Sequence, residues 1–348
     1  MEHPLDDLER LNSLDSQGML KTLRKFPTDS LTALKNAETI DIPDFKEPSS
    51  IVISGMGGSA IGGLILQDWL HEDSKVPILV SRGYRLPGFV DSRTIVIGIS
   101  YSGNTEETLN SIIQARRRKA QIIAITSGGK LLQISKGEAY PHIKVPGGFQ
   151  PRAALPFQFF SLVKIMEKID LIGNKYEEIK ETIKTLELLA KKCQPSERIE
   201  KNPAKKIADK LKGYIPFIVT PGFMKSVSYR ISTQFNENSK IPAFSSFIPE
   251  ALHNRVMAVE ASSEMLDKIY PIIIRDPHEK LIEKKISKFI NLMKSSFGKT
   301  LEIETLGQGN LTKMFSTILL WDFTSTYLGL LYGKNPTPLK SIQFIKEV

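Results

Sequence analysis

Two short stretches carry residues whose types and spacing suit holding an anion. The first is Ser54-Gly55-Met56-Gly57-Gly58-Ser59-Ala60-Ile61-Gly62-Gly63, which follows the apolar run Ile51-Val52-Ile53. Glycines in a strand-to-helix turn let the backbone approach a ligand closely, and the free N–H groups that open a helix attract negative charge. Gly55-x-Gly57-x-x-Ala60 also fits a dinucleotide fingerprint, which requires an acidic residue at the end of the second strand to bind ribose. Here the second apolar run ends in Ser81-Arg82-Gly83, so that carboxylate is missing and only Arg82 would suit a 2′-phosphate. Taken alone, the motif is also compatible with a tight turn that binds nothing.

The second stretch is Ser100-Tyr101-Ser102-Gly103-Asn104-Thr105-Glu106-Glu107-Thr108, again behind a β-branched run, Ile95-Val96-Ile97-Gly98-Ile99. Ser100, Ser102 and Thr105 each offer a hydroxyl. Thr105 ahead of two glutamates also reads as ordinary helix capping. Two such turns at strand ends of one sheet converge on one crevice, where open α/β sheets place ligands. Hydroxyls and backbone amides without a G-x-x-x-x-G-K-[ST] loop suit a phosphate monoester rather than a triphosphate.

The elements that must position these turns follow from hydrophobic pattern. Short apolar runs at Ile51–Ser54, Val76–Ser81, Thr94–Ser100, Gln121–Thr126 and His142–Val145 alternate with helical segments. Runs that are apolar throughout imply strands buried on both faces of a parallel sheet. Residues 2–37 have helical periodicity, as do residues 154–193 with a break at Leu171-Ile172-Gly173-Asn174. The polar stretch 191–203, with Pro195 and Pro203, marks a boundary, and the α/β rhythm then restarts. Strands are expected at Ile215–Thr220, Ile241–Ser245, Ile269–Arg275 and Thr300–Glu304, and a long apolar helix at Leu311–Tyr332. The expected organisation is a helical segment over residues 1–40, a first α/β domain over 41–190 and a second over 204–348.

Composition narrows the function classes. The 348 residues include 47 Lys and Arg against 38 Asp and Glu, a net charge of +9. Basic proteins often meet nucleic acid or phosphorylated metabolites. The central lysines are interleaved with glutamates, however, which is the pattern of a solvated helix face. No zinc-finger spacing or Arg/Gly-aromatic repeat is present, so no nucleic-acid partner is expected. Cys193 is the only cysteine and the five histidines are scattered, so no metal site is expected. No segment reads as a signal peptide or membrane span, and a cytoplasmic protein is expected.

The glycine and serine turns together resemble the sugar isomerase (SIS) domain, a flavodoxin-like unit that binds phosphosugars. Gly147-Gly148-Phe149-Gln150-Pro151-Arg152-Ala153-Ala154, Asn236-Glu237-Asn238-Ser239-Lys240, Glu250-Ala251-Leu252-His253-Asn254 and Asn335-Pro336-Thr337-Pro338 resemble segments of the bifunctional phosphoglucose/phosphomannose isomerase family, in the same order and over essentially the whole chain. The resemblance implies two flavodoxin-like subdomains, each a parallel sheet with helices on both faces. It implies an aldose–ketose isomerase that interconverts glucose 6-phosphate and mannose 6-phosphate with fructose 6-phosphate, without metal or other cofactor. A non-catalytic phosphosugar-binding regulator is the alternative.

Carried onto this sequence, the resemblance implies that Gly57, Gly58, Ser59, Ser100, Ser102 and Thr105 bind the 6-phosphate. Arg152 would stabilise an enediolate, Glu237 would move the proton between C1 and C2, and His253 and Lys346 would assist ring opening. It also implies a homodimer with a shared active site, His253 coming from the partner subunit. Lys340 rivals Lys346 because the C-terminal spacing is ambiguous, and Thr337 matches a threonine linked to mannose activity. Read without the family, Glu237 is a solvated glutamate at a helix end and His253 a polar-surface histidine. A guanidinium at Arg152 keeps its charge and suits an oxyanion.

Overall fold

A computed structural model of the chain describes residues 3–45 and 47–346. They group into two compact units, Pro27–Glu177 and Met1–Phe26 together with Glu178–Val348. The leading helical pattern resolves into α1 (Leu8–Leu14), α2 (Met19–Arg24) and α3 (Phe26–Glu38). The break before α2 is built by Asp15, whose carboxylate accepts Met19 N and Leu20 N, each at 2.8 Å.

The Pro27–Glu177 unit continues through β1 (Ser50–Ser54), α4 (Ile61–Trp69), β2 (Ile78–Ser81), β3 (Thr94–Ser100), α5 (Glu106–Arg117), β4 (Gln121–Thr126), α6 (Gly129–Gly137), β5 (His142–Lys144) and α7 (Leu155–Lys168). All five strands are parallel, in the order β2-β1-β3-β4-β5, which is the flavodoxin-like arrangement. Every residue of β1 and β3 is buried, because helices cover both faces. Val52, Val96 and Ala124 pack with Ile112 of α5 and Leu131 of α6. On α4 and α7, the Trp69 and Phe159 rings meet at 5.9 Å. Each fully buried Val, Ile or Phe contributes about 1.5–3 kcal/mol.

The other unit is built from α8 (Tyr176–Cys193), α9 (Pro203–Leu211), β6 (Ile215–Pro221), α10 (Lys225–Gln234), β7 (Phe244–Ile248), α11 (Ser263–Leu266), β8 (Ile269–Arg275), α12 (Glu283–Phe297), β9 (Leu301–Glu304), α13 (Asn310–Leu331) and α14 (Lys340–Lys346). Its sheet is also parallel, in the order β7-β6-β8-β9. Strand β7 lies three residues beyond the expected Ile241–Ser245. Ile241 N donates to Phe235 O instead, which ties it to the turn after α10.

The long apolar helix is α13. Leu311 through Leu331 are all buried, as a helix apolar all round must be. Among the described residues no helix is long and apolar enough to cross a membrane. The segment before α1 belongs to this unit's interior. Leu5 is fully buried, and Asp6 Oδ1 accepts from Lys205 Nζ at 3.0 Å and from Ile199 N at 2.9 Å. Burial pulls the Lys205 amine below its ordinary value, and Asp6 opposes that shift.

Candidate active site

The glycine turn leaves β1 at Ser54, forms a 3-10 turn at Gly57–Ser59 and enters α4. No side chain caps either helix start, and within the turn Ser59 N donates to Met56 O at 2.9 Å and Ala60 N to Gly57 O at 3.1 Å. Ser59 is buried, and its Oγ accepts Tyr101 N at 3.1 Å and Gln158 Nε2 at 3.4 Å. Both bonds are accepted, so the hydroxyl proton is the one left to donate.

The serine turn leaves β3 at Ser100. Ser100 Oγ and Thr105 Oγ1 lie 2.8 Å apart, and Thr105 N donates to Ser100 Oγ at 3.4 Å. The Thr105 side chain therefore does not cap α5, although Thr105 occupies its N-cap position. The capping role that the sequence pattern offered is therefore not the one its hydroxyl takes. Ser102 is exposed, with its Oγ accepting Asn104 N at 3.2 Å. Gly103 makes the turn possible, since its φ is +70° and a Cβ there would lie 1.8 Å from Gly128 O.

Arg152 sits in the 3-10 turn Pro151–Ala154 that leads into α7, and is only 2% exposed. Its backbone closes on the glycine turn: a Cβ at Gly58 would come within 2.6 Å of Arg152 N. Glycine at this position thus brings a guanidinium-bearing turn against the end of β1. The strap before it is held by Tyr101, whose hydroxyl donates to Pro146 O at 3.0 Å and accepts from Phe149 N at 2.8 Å. Burial pushes the Tyr101 phenol up, against the opposing bond from Phe149. Gly57, Gly58, Ser59, Ser100, Ser102, Thr105 and Arg152 thus stand on turns at one end of a single sheet.

Glu237 lies in the other unit, half-buried in a π-helical turn, Phe235–Ser239, that extends α10. Helix α10 is anchored by a buried network. Asp322 of α13 accepts Arg230 Nη2 at 2.6 Å and Gln234 Nε2 at 2.8 Å. His253 ends the 3-10 turn Glu250–Leu252 and is exposed, and among the described residues its imidazole makes no hydrogen bond. Thr337 is buried and its N donates to Asn335 Oδ1 at 3.0 Å. Lys340 and Lys346 open and close α14, and the Lys346 side chain lies outside the described residues.

Gln158, Tyr101, Arg230 and Asp322 were not singled out by motif. The available signal was a polar residue inside an otherwise apolar helix, as with Asp322 in α13 and Gln158 in α7. Among the described residues no three His, Cys, Asp or Glu side chains gather as metal ligands.

The SIS domain family matches residues 44–132, and the family described as the bacterial phospho-glucose isomerase C-terminal SIS domain matches residues 200–348. The bifunctional phosphoglucose/phosphomannose isomerase of Caldicellulosiruptor bescii is 38% identical over 301 residues, 85% of this chain and 88% of its own length. That of Aquifex aeolicus is 36% identical over 311 residues, 87% of this chain and 91% of its own length. The crystal structure of a hypothetical protein from Thermus thermophilus aligns with a TM-score of 0.73, over 97% of this chain and 92% of that one. At 14% identity that likeness is one of fold. With relatives this similar along most of its length, the chain belongs to the bifunctional phosphoglucose/phosphomannose isomerase family.

Proposed function

We propose that this protein interconverts glucose 6-phosphate and mannose 6-phosphate with fructose 6-phosphate through a cis-enediolate, without a metal ion. One observation carries the reading. Two neighbouring strand ends open into helices that no side chain caps, while the Ser59 hydroxyl reaches the serine turn at Tyr101 N and the Ser100 and Thr105 hydroxyls pair within that turn. That arrangement offers N–H and O–H donors to a phosphate monoester.

Gly57, Gly58, Ser59, Ser100, Ser102 and Thr105 hold the 6-phosphate. His253 and Lys346 exchange protons with the ring oxygen and O1 as the ring opens. The Glu237 carboxylate then takes the C2 proton of the aldose, and electron density moves onto the carbonyl oxygen to give the enediolate. Arg152 stabilises that oxyanion. Glu237 returns the proton to C1 while the O2 hydroxyl proton passes to O1 and the carbonyl re-forms at C2, so no oxidant or reductant is needed. Rotation about C2–C3 lets one base serve both C2 epimers, with Thr337 giving room for mannose.

His253 serves a homodimer in which it reaches the partner's site. Its exposure, and that of Met257 at 57% and Met265 at 63% nearby, supports this reading. The cytoplasm is the fitting compartment for such chemistry. A non-catalytic regulator is not favoured, because the relatives that cover most of the chain are named isomerases.

The deciding experiment is an isomerase assay on EDTA-treated protein with each aldose phosphate offered separately. Formation of fructose 6-phosphate from both is expected. Turnover of glucose 6-phosphate alone removes Thr337 from its role, and turnover of neither, with phosphosugar binding intact, restores the regulator.

A further inference from the structure

Glu237 is carried by a π turn, a backbone form found mostly as single turns at functional sites. Two sets of contacts hold this turn. Against α13, Asn238 Nδ2 donates to Ser325 Oγ at 3.0 Å and Ser239 Oγ donates to Ser325 O at 2.5 Å, with all three residues buried. One turn further along α13 is Gly329, where a Cβ would come within 2.4 Å of Asn238 O, so the backbone of the turn rests directly on the helix.

On the other side, Lys240 ends the turn with φ +60° and folds its side chain back. Its Nζ donates to Glu237 O, to Pro336 O at 3.2 Å and to Pro338 O at 2.7 Å. An ammonium has three donors and no acceptor, and here three main-chain carbonyls take them. Thr337 lies between the two prolines so held.

We propose that Asn238 and Lys240 are positioning residues that clamp the turn bearing Glu237 between α13 and the 335–338 loop, so that Glu237 and Thr337 keep one fixed relation. The proposal rests on Glu237 being the proton carrier. Removing a proton from carbon requires a base held within hydrogen-bond reach, and a misplacement of about 1 Å can cost roughly 100-fold. The clamp fixes the main chain from which the Glu237 side chain starts.

The test uses the full chain with Lys240→Met. The turnover number falls about 10- to 100-fold with both aldose phosphates, while KM stays within about threefold, because the phosphate turns are untouched. Two ratios separate position from folding. One is turnover of mannose 6-phosphate relative to glucose 6-phosphate. The other, measured in deuterated water, is solvent exchange relative to direct transfer of the C2 hydrogen. A shifted base changes both, whereas a smaller folded fraction changes neither. Lys240→Arg, which keeps the cation, recovers part of the turnover.

Should Lys240→Met not fold, Asn238→Ala removes the opposite contact and is read in the same way. Wild-type turnover and ratios in the folded variant overturn the proposal. Glu237→Gln is the control. If it retains turnover, the reading of Glu237 itself fails; if it abolishes turnover while the clamp variants behave as wild type, only the positioning role fails.

Discussion

Where β1 and β3 end, the chain turns through glycines and hydroxyls; where β8 ends, Asp276 forms a buried ion pair with Lys313 of α13. Both places are topological switch points of parallel sheets, since β6 lies between β7 and β8 as β1 lies between β2 and β3. At the second, the Thr220 hydroxyl donates to Met224 O at 3.1 Å, within its own turn. Asp276 follows β8, and its Oδ2 accepts Lys313 Nζ at 2.9 Å while its Oδ1 accepts His278 N at 3.0 Å. The two side chains are only 8% and 5% exposed. The helix after β6 also starts without a side-chain cap, so the difference lies in the Asp276 carboxylate that a phosphate would face beyond β8. The same topology thus supplies two crevices that differ in charge, and the function proposed above places the phosphate at the one without the carboxylate.

Four experiments test that contrast, beginning with the largest effect. Glu237→Gln should lower turnover by about 10³-fold, within the range for losing a general base. Titration with fructose 6-phosphate should show binding nearly intact, because binding rests on the turns of the first sheet. Loss of binding would mean that the division between holding and reacting is misplaced.

Asp276→Asn leaves the Lys313 ammonium buried without its anion, which should cost about 3–5 kcal/mol of stability in urea unfolding. KM for sugar phosphates should not move. A changed KM would break the comparison, since it would bring the second crevice into substrate binding.

Ser100→Ala should raise KM roughly tenfold and Ser102→Ala about threefold, with little change in turnover, because each removes a bond made in both ground and transition states. A pure turnover defect would contradict the assignment.

The smallest effect concerns Asp15, in the unit that carries the second sheet. Burial raises its carboxyl above the ordinary value, against the bonds from Leu20 N and Met19 N. Its contribution is then complete below the unfolded-state value and is lost as pH rises through the folded one. The Tm advantage of the wild type over Asp15→Asn should shrink as pH rises above the ordinary carboxylate value. A constant difference across that range would show that Asp15 does not titrate with folding.

Much of this arrangement was legible in the sequence because it is local. The apolar runs at 94–100, 121–126 and 269–275 coincide with β3, β4 and β8, whose burial on both faces leaves no alternation to misread. Ile241 misled because an apolar residue beside Lys240 resembles a strand start, whereas it closes a π turn. Thr105 showed the limit of motif reading. Capping and ligand binding use the same residue type, and only the 2.8 Å contact with Ser100 shows that its hydroxyl does not cap α5. The partners Asp322 for Arg230 and Ser325 for Asn238 lie 92 and 87 residues away in sequence, and no local pattern announces such pairs.

The buried Asp6–Lys205 pair has a consequence for synthesis. Lys205 is made 199 residues after Asp6, an interval of roughly 10–40 s at ordinary rates of translation. Through that time Asp6 has left the ribosome without the ammonium that will meet it. Asp6 is thus a carboxylate made well before its cation, and the pair can close only once α9 has been made.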